Sequence, residues 1–279
     1  QEAHPIIGWR LITAKDTGAK IILADPRGIG LSNFADLHLK LLPGTDIALL
    51  NGIMHIILKE GLEDKKFIEE RTEGFLKLRS IVDKYTPEYV QKITGVPGGL
   101  IIKAARLFAN SKPASIIYSL GITEHTTGTD NVSSLANLAM LTGNVGKPSS
   151  GVNPLRGQNN VQGACDMGAL PDVFSGYQSV EDDGIRKKFE DAWKVRLPSK
   201  KGITISEMFE RPGRIKFFYI VGEDVAHSEP NSGHVVSCLK KAKFIVVHDL
   251  FFCKTAEYAD VVLPASSFAE KDGTFTNAD

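Results

Sequence analysis

The sequence predicts an α/β protein built on parallel sheets, and three observations lead there. Apolar runs of four or five residues, rich in β-branched side chains, end in Gly or Asp; helix-length amphipathic stretches separate them; and one strand–loop–strand pattern occurs twice. Continuous rather than alternating apolar runs suit parallel strands covered on both faces. Strands that alternate with helices assemble into such a sheet.

The strands are expected at 21–24, running into Asp25-Pro26-Arg27; at 115–118, running into Gly121; at 217–221, running into Gly222-Glu223-Asp224; and at 244–247, running into His248-Asp249. Helices are expected at 47–60, 64–71, 87–93, 100–110 and 132–142. In the fourth of these, Leu100, Ala104, Leu107 and Phe108 recur at helical spacing while Lys103 and Arg106 turn away from them. Residues 181–209 are charged and poorer in apolar side chains, which suggests a helix and a surface excursion.

The repeat sets the domain organisation. Residues 19–25 align without gaps on 242–248, at an offset of 223, and Phe34-Ala35-Asp36-Leu37-His38-Leu39 aligns on Tyr258-Ala259-Asp260-Val261-Val262-Leu263 at an offset of 224. Two matches in the same order point to two similar Rossmann-like, three-layer α/β domains with mostly parallel sheets, related by an internal pseudo-repeat. The expected division is 1–157 and 158–279. Between the copies, residues 143–176 pack Arg156, Gln158, Asn159, Asn160 and Gln162 among glycines. This is either a polar interdomain loop or a surface where backbone and amides approach a ligand closely.

Composition excludes several classes. The 279 residues suffice for two ordinary domains. Lys+Arg and Asp+Glu are 33 each, so no net charge draws the chain to nucleic acid or an anionic membrane. No apolar run approaches the roughly 20 residues needed to span a bilayer. Cys165, Cys238 and Cys253 are too few and too scattered for a disulfide framework or a metal knuckle, which suits small buried side chains in a reducing, cytoplasmic compartment. None of the seven histidines has metal-ligand spacing, so no metal-ligating residue is expected. Both ends read as cut, which makes an interior piece of a longer protein the expectation.

Carboxylates at strand ends are where doubly wound folds hold a ribose, and Asp25 occupies such a position, as do Asp224 and Asp249 in the second half. No Gly-x-Gly-x-x-Gly or Walker loop accompanies them, so an ordinary NAD or ATP site is not supported. Asp46, after Leu42-Pro43-Gly44-Thr45, could accept from a guanine or serve as a plain helix cap. Gly121, Glu124 and His125 lie just past a strand end, where a cofactor would bind.

The run from Arg156 to Gly168, with residues 123–132 and the Leu-Thr-Gly-Asn of 141–144, resembles molybdopterin-dependent formate dehydrogenases nearly letter for letter. Residues 258–264 and 270–277 are similar to the wider molybdopterin oxidoreductase family, and the likeness runs from His4-Pro5 to Asn277. It implies a catalytic subunit with molybdenum or tungsten between two pterin guanine dinucleotides, oxidising formate to carbon dioxide or running the reverse. By position it implies that Asp25, Arg27, Pro43, Thr45 and Asp46 hold one guanosine, and that Gly222, Glu223, Asp224, Asp249 and Pro264 serve the other. It assigns Arg156 to pair with formate, and Gly157, Gln158 and Asn159 to line the site. It further implies electron-transfer subunits as partners and an iron–sulfur cluster in an N-terminal domain that this chain does not contain. The metal-ligating cysteine or selenocysteine is also absent from it, so the piece alone is expected to be inactive and empty of cofactor. The alternatives are another molybdopterin oxidoreductase, such as a nitrate reductase, or a non-catalytic α/β binding protein.

Overall fold

The computed structural model describes residues 2–277. The chain forms two compact units, one running to Asn159 and the other comprising Asn160–Asn277. Both are mixed α/β with small, mostly parallel sheets.

The first unit opens with α1 (Pro5–Asp16), β1 (Ile22–Ala24) and β2 (Leu37–Leu39), continues through α2 (Asp46–Lys59), α3 (Lys65–Arg71), α4 (Phe75–Val82), α5 (Pro87–Thr94) and α6 (Gly98–Asn110), and closes with β3 (Ser115–Tyr118), α7 (Leu120–Thr123), α8 (Gly128–Leu141) and β4 (Gly151–Pro154). Its strands form two parallel pairs, β1 with β2 and β3 with β4, rather than one continuous sheet. The core centres on α2, whose Leu49, Ile53, Met54 and Ile57 pack with Val90 of α5, Ile101 and Ala104 of α6, and Leu135 and Leu138 of α8. At Gly52 an added Cβ would stand 2.8 Å from Val90 Cγ2, so α2 and α5 can approach this closely only over a glycine.

The Leu-Thr-Gly-Asn stretch at 141–144 proves to be a buried latch. Asn144 accepts from the Ala114 amide at 3.0 Å and donates to the Thr142 hydroxyl at 2.9 Å, while the Thr142 hydroxyl donates to Leu138 O at 3.0 Å. This ties the end of α8 to the entry of β3. Gly143 has φ +67°, and a Cβ on it would lie 2.2 Å from Asp64 Oδ2.

The second unit contains α9 (Val161–Asp166), the antiparallel pair β5 (Val173–Phe174) and β6 (Gln178–Ser179), α10 (Asp183–Trp193), α11 (Ile205–Met208), β7 (Phe217–Val221), α12 (Val225–Ser228), α13 (Ser232–Leu239), β8 (Phe244–Asp249) and β9 (Val261–Pro264). Its main sheet is β7-β8-β9, all parallel. Phe218, Ile220, Ile245 and Val247 face Val235, Leu239 and Cys238 of α13, with Phe209 stacked on Phe218. Burial pushes the Cys238 thiol up.

Several expectations are corrected. β7 is not covered on both faces: Phe217, Tyr219 and Val221 are 56, 54 and 59% exposed, while the intervening Phe218 and Ile220 are buried. The continuous apolar run therefore hides a one-sided strand, because a hydrophobic residue on the open face looks the same in sequence as one in the core. Helices α1 and α4 were not foreseen, since the apolar residues of α1 do not collect on one side and Ile6 and Trp9 face outward. Asp46 is the first helical residue of α2 rather than its cap. Phe209, at the end of the supposed surface excursion, is a core residue.

The repeat is sharpened by one residue. Asp36 Oδ2 accepts from the Ile21 amide at 2.8 Å, and the Asp36 amide donates to Ile21 O at 2.8 Å. Asp260 makes the same two bonds with Ile245, at 2.8 and 2.9 Å. Ile22 pairs with Leu37 and Val246 with Val261, so the structural offset is a uniform 224 and Asp25 corresponds to Asp249, not to His248.

Lys15, by hydrogen bond, and then the Ile21 amide hold the Asp36 carboxyl down at about 2. Because the folded value lies below the unfolded one, this contribution is complete above the ordinary carboxylate pKa near about 3.9 and is lost as the pH falls towards about 2. Asp36→Ala is expected to destabilise the first unit by about 2 kcal/mol at neutral pH. Asp260→Ala, with no lysine on its carboxylate, is expected to cost less. Urea unfolding between pH 7 and pH 2 checks both: the difference between wild type and Asp36→Ala must shrink over the acid half of that range.

Candidate functional site

Each unit gathers its candidate residues at the carboxyl ends of its parallel strands, the edge where open α/β sheets bind ligands. In the first unit, Asp25 follows β1 directly. Its Oδ1 accepts from the Arg27 amide at 2.8 Å, and His38 Nε2 donates to its carbonyl at 2.9 Å. Arg27 reaches back to Asp25 Oδ1 at 3.8 Å and to Glu2 at 3.6 Å on an exposed surface. After β2, Leu42–Thr45 forms a tight turn. Pro43 presets its first central position, Gly44 takes φ +80° at the second, and the Thr45 amide donates to Leu42 O at 3.3 Å. The Thr45 hydroxyl donates to the same carbonyl at 2.6 Å, and Asp46 then opens α2.

Asp46 lies near the loop that follows β3. Its carboxylate stands 3.9 Å from His125 Nε2, which donates to Gly121 O at 3.0 Å. The loop carrying Gly121, Glu124 and His125 bends tightly onto α8, and Gly128 permits it, because a Cβ there would meet Thr123 O at 2.1 Å. Arg156 follows β4 beside this loop. The Leu155 amide donates to Tyr118 O at 2.8 Å, the Ser119 hydroxyl donates to Leu155 O at 2.8 Å, and His4 Nε2 donates to Arg156 O. The next residue is equally confined, since a Cβ on Gly157 would stand 2.9 Å from Leu120 Cδ1. The Arg156 side chain is exposed, and its guanidinium makes no ion pair or hydrogen bond with another described residue. Gln158 and Asn159 continue outward from it, both exposed.

In the second unit, Gly222 takes φ +63° after β7 and its amide donates to His248 O at 2.9 Å. Asp224 is committed to the fold: its Oδ1 accepts from the Thr255 hydroxyl at 2.6 Å and the Thr255 amide at 2.8 Å. Burial alone would raise the Asp224 carboxyl, but the Thr255 hydroxyl and amide, the Lys254 amide and nearby His227 together hold it below the ordinary carboxylate range. Glu223 accepts from the Ser228 hydroxyl. Asp249, by contrast, carries among the described residues only a 3.3 Å bond from the Phe251 amide on its side chain, and it pairs in register with Pro264 at the end of β9.

These groups suit a polyhydroxylated, anionic ligand. Among the described residues Asp25 Oδ2 accepts no hydrogen bond, Asp249 accepts one at 3.3 Å, and the Arg156 guanidinium makes none, which leaves acceptors for hydroxyl or ring N–H donors and a cation for an anion. Among the described residues no group of three or more His, Cys, Asp or Glu side chains could hold a metal ion, and no helix is long and apolar enough to cross a membrane. Sequence reasoning missed His4, His38 and Ser119, whose contributions are to backbone carbonyls and leave no local pattern.

The Molybdopterin oxidoreductase family model matches residues 1–279. The chain is 55% identical over its whole length to the F420-dependent formate dehydrogenase subunit alpha of Methanocaldococcus jannaschii, and 49% identical to formate dehydrogenase H of Escherichia coli. It spans 41% and 39% of those relatives' own lengths. Acetylene hydratase from Pelobacter acetylenicus shares the fold, with a TM-score of 0.68 at 21% identity over 95% of this chain and 40% of that one.

Asp224→Ala is expected to loosen the second unit by about 2 kcal/mol, because the buried Thr255 hydroxyl and amide lose their acceptor. Hydrogen exchange checks this, with protection falling at Thr255 and Ala226 while the amides of α2 keep theirs.

Proposed function

Since the chain belongs to the molybdopterin oxidoreductase family, we propose that it is the central, cofactor-binding portion of a formate dehydrogenase. In the proposed reaction formate is oxidised to carbon dioxide with release of a proton and two electrons. The observation that carries the substrate is Arg156: an exposed guanidinium with no hydrogen-bond or ion-pair partner among the described residues, on a main chain held by neighbours on three consecutive residues. Its planar, permanently charged fork matches a carboxylate with two parallel hydrogen bonds, which both binds formate and orients it.

The family's cofactor is a molybdopterin with its metal, which when bound supplies a two-electron acceptor. We read it as the pterin guanine dinucleotide form, one per unit, with molybdenum or tungsten as the metal. In the first unit Asp25 accepts from ribose hydroxyls and Asp46 from guanine N–H donors. Arg27, Pro43 and Thr45 shape that pocket, and Gly121, Glu124 and His125 extend it. In the second, Asp249 takes the place of Asp25, while Gly222, Glu223 and Pro264 form the surrounding turn. Asp224 acts there through Thr255, by holding the loop that follows β8. Gly157, Gln158 and Asn159 line the site beside Arg156. The metal's protein ligand, an iron–sulfur cluster and the electron-accepting subunits belong to the rest of the intact protein. Three cysteines without disulfides fit a reducing, cytoplasmic setting.

In the intact enzyme Arg156→Lys is expected to raise the formate KM by about tenfold or more and to lower kcat, because an ammonium cannot form the bidentate pair. Steady-state formate oxidation with an artificial electron acceptor measures it, and unchanged constants reject the assignment.

A further inference from the structure

We propose that His4 is a positioning residue for Arg156, fixing where the guanidinium starts so that its free end meets the substrate carboxylate. The inference rests on the reading of Arg156 as the formate-binding residue.

His4 occupies the position where a helix cap would act, yet its side chain makes no capping bond to α1. Pro5 disfavours a helical backbone at His4, which is observed at φ −136° and ψ 70°. Its carbonyl accepts from the Gly8 amide at 2.9 Å, so the residue is anchored to a helix rather than to a loop. The ring is only 7% exposed, and Nε2 donates to Arg156 O, 152 residues away in the chain. A buried polar ring directed at one distant carbonyl needs a reason, because burial without that bond would cost about 1–3 kcal/mol.

The reason lies in what the other contacts leave undone. Leu155 is held through its amide by Tyr118 and through its carbonyl by Ser119, and Gly157 lies against Leu120. Ser119 thus holds the peptide that enters Arg156, and His4 is the described side chain that hydrogen-bonds the peptide that leaves it. A guanidinium on a long, flexible arm aims well only if the arm's root is fixed, and a displacement near 1 Å at a reacting centre can cost on the order of 100-fold in rate. Nε2–H is present in one neutral tautomer and in the imidazolium, so the clamp does not require protonation.

The test uses the cofactor-loaded intact enzyme and two amide replacements that differ in reach. Glutamine can place an amide nitrogen near the Nε2 position, whereas asparagine falls short of it. His4→Gln is expected to keep the formate KM within about twofold of wild type, and His4→Asn and His4→Phe to raise it by about tenfold, with pterin and metal content and Tm recorded for each. In the Arg156→Lys background His4→Asn is expected to add nothing, since the group it positions is gone. Equal KM values for all His4 variants with full cofactor, while Arg156→Lys raises KM, overturn the positioning role alone. An unchanged KM in Arg156→Lys overturns the formate reading and this inference with it. Loss of fold or cofactor in His4→Gln as well overturns it in favour of a purely structural histidine.

Discussion

A parallel pair of three-residue strands has almost nothing to hold it in register, and one aspartate supplies what is missing. Asp36 and Asp260 each cap the start of the preceding strand, accepting from the amide of Ile21 or Ile245 and returning their own amide to the same residue's carbonyl. The connections from β1 to β2 and from β8 to β9 contain short 3₁₀ turns in place of the usual crossover helix. Without the aspartate, register would depend on a few ladder bonds and on side chains that look alike. With it, the carboxyl ends of the strands fall at defined positions, and the candidate residues stand on those ends.

The two copies use this frame for different chemistry. At equivalent positions Asp25 and Asp249 accept from the amide two residues on, so the turn is the same. What the turn displays is not: Arg27 presents a cation in the first unit, and Phe251 presents an exposed ring in the second. Lysines 15 and 20 sit on Asp36, while Asp260 has no such partner among the described residues. The cofactor halves proposed for the units thus meet one backbone geometry with unlike side chains.

Around Arg156 the same economy appears in reverse. The main chain of residues 155–157 is held at successive points by Tyr118, Ser119, His4 and Leu120, while the charged head makes no hydrogen bond or ion pair with another described residue. A fixed root narrows where the guanidinium can reach, which in the proposed reading lowers the cost of ordering it on the substrate carboxylate.

Much of this was readable in the chain. The aromatic-Ala-Asp motif marked the strand pairing because its aspartate acts locally, on a residue 15 positions back. Helices α2 and α6 were legible from amphipathic spacing, whereas α1, with no apolar face, was not. A gap-free match of apolar runs slipped by one residue, pairing Asp25 with His248, because Ile, Leu and Val are interchangeable in such a match while backbone hydrogen bonds are not. No local pattern foretold that Thr255, 31 residues on, would donate to Asp224 Oδ1. By itself, then, the sequence determined the strand–helix alternation, the repeat and the chemistry available at each strand end, since these depend on residue type and short spacing. Only the tertiary structure decided which carboxylates remain free, which face of β7 is open and which histidine holds Arg156, because each is settled by contacts between segments far apart in the chain.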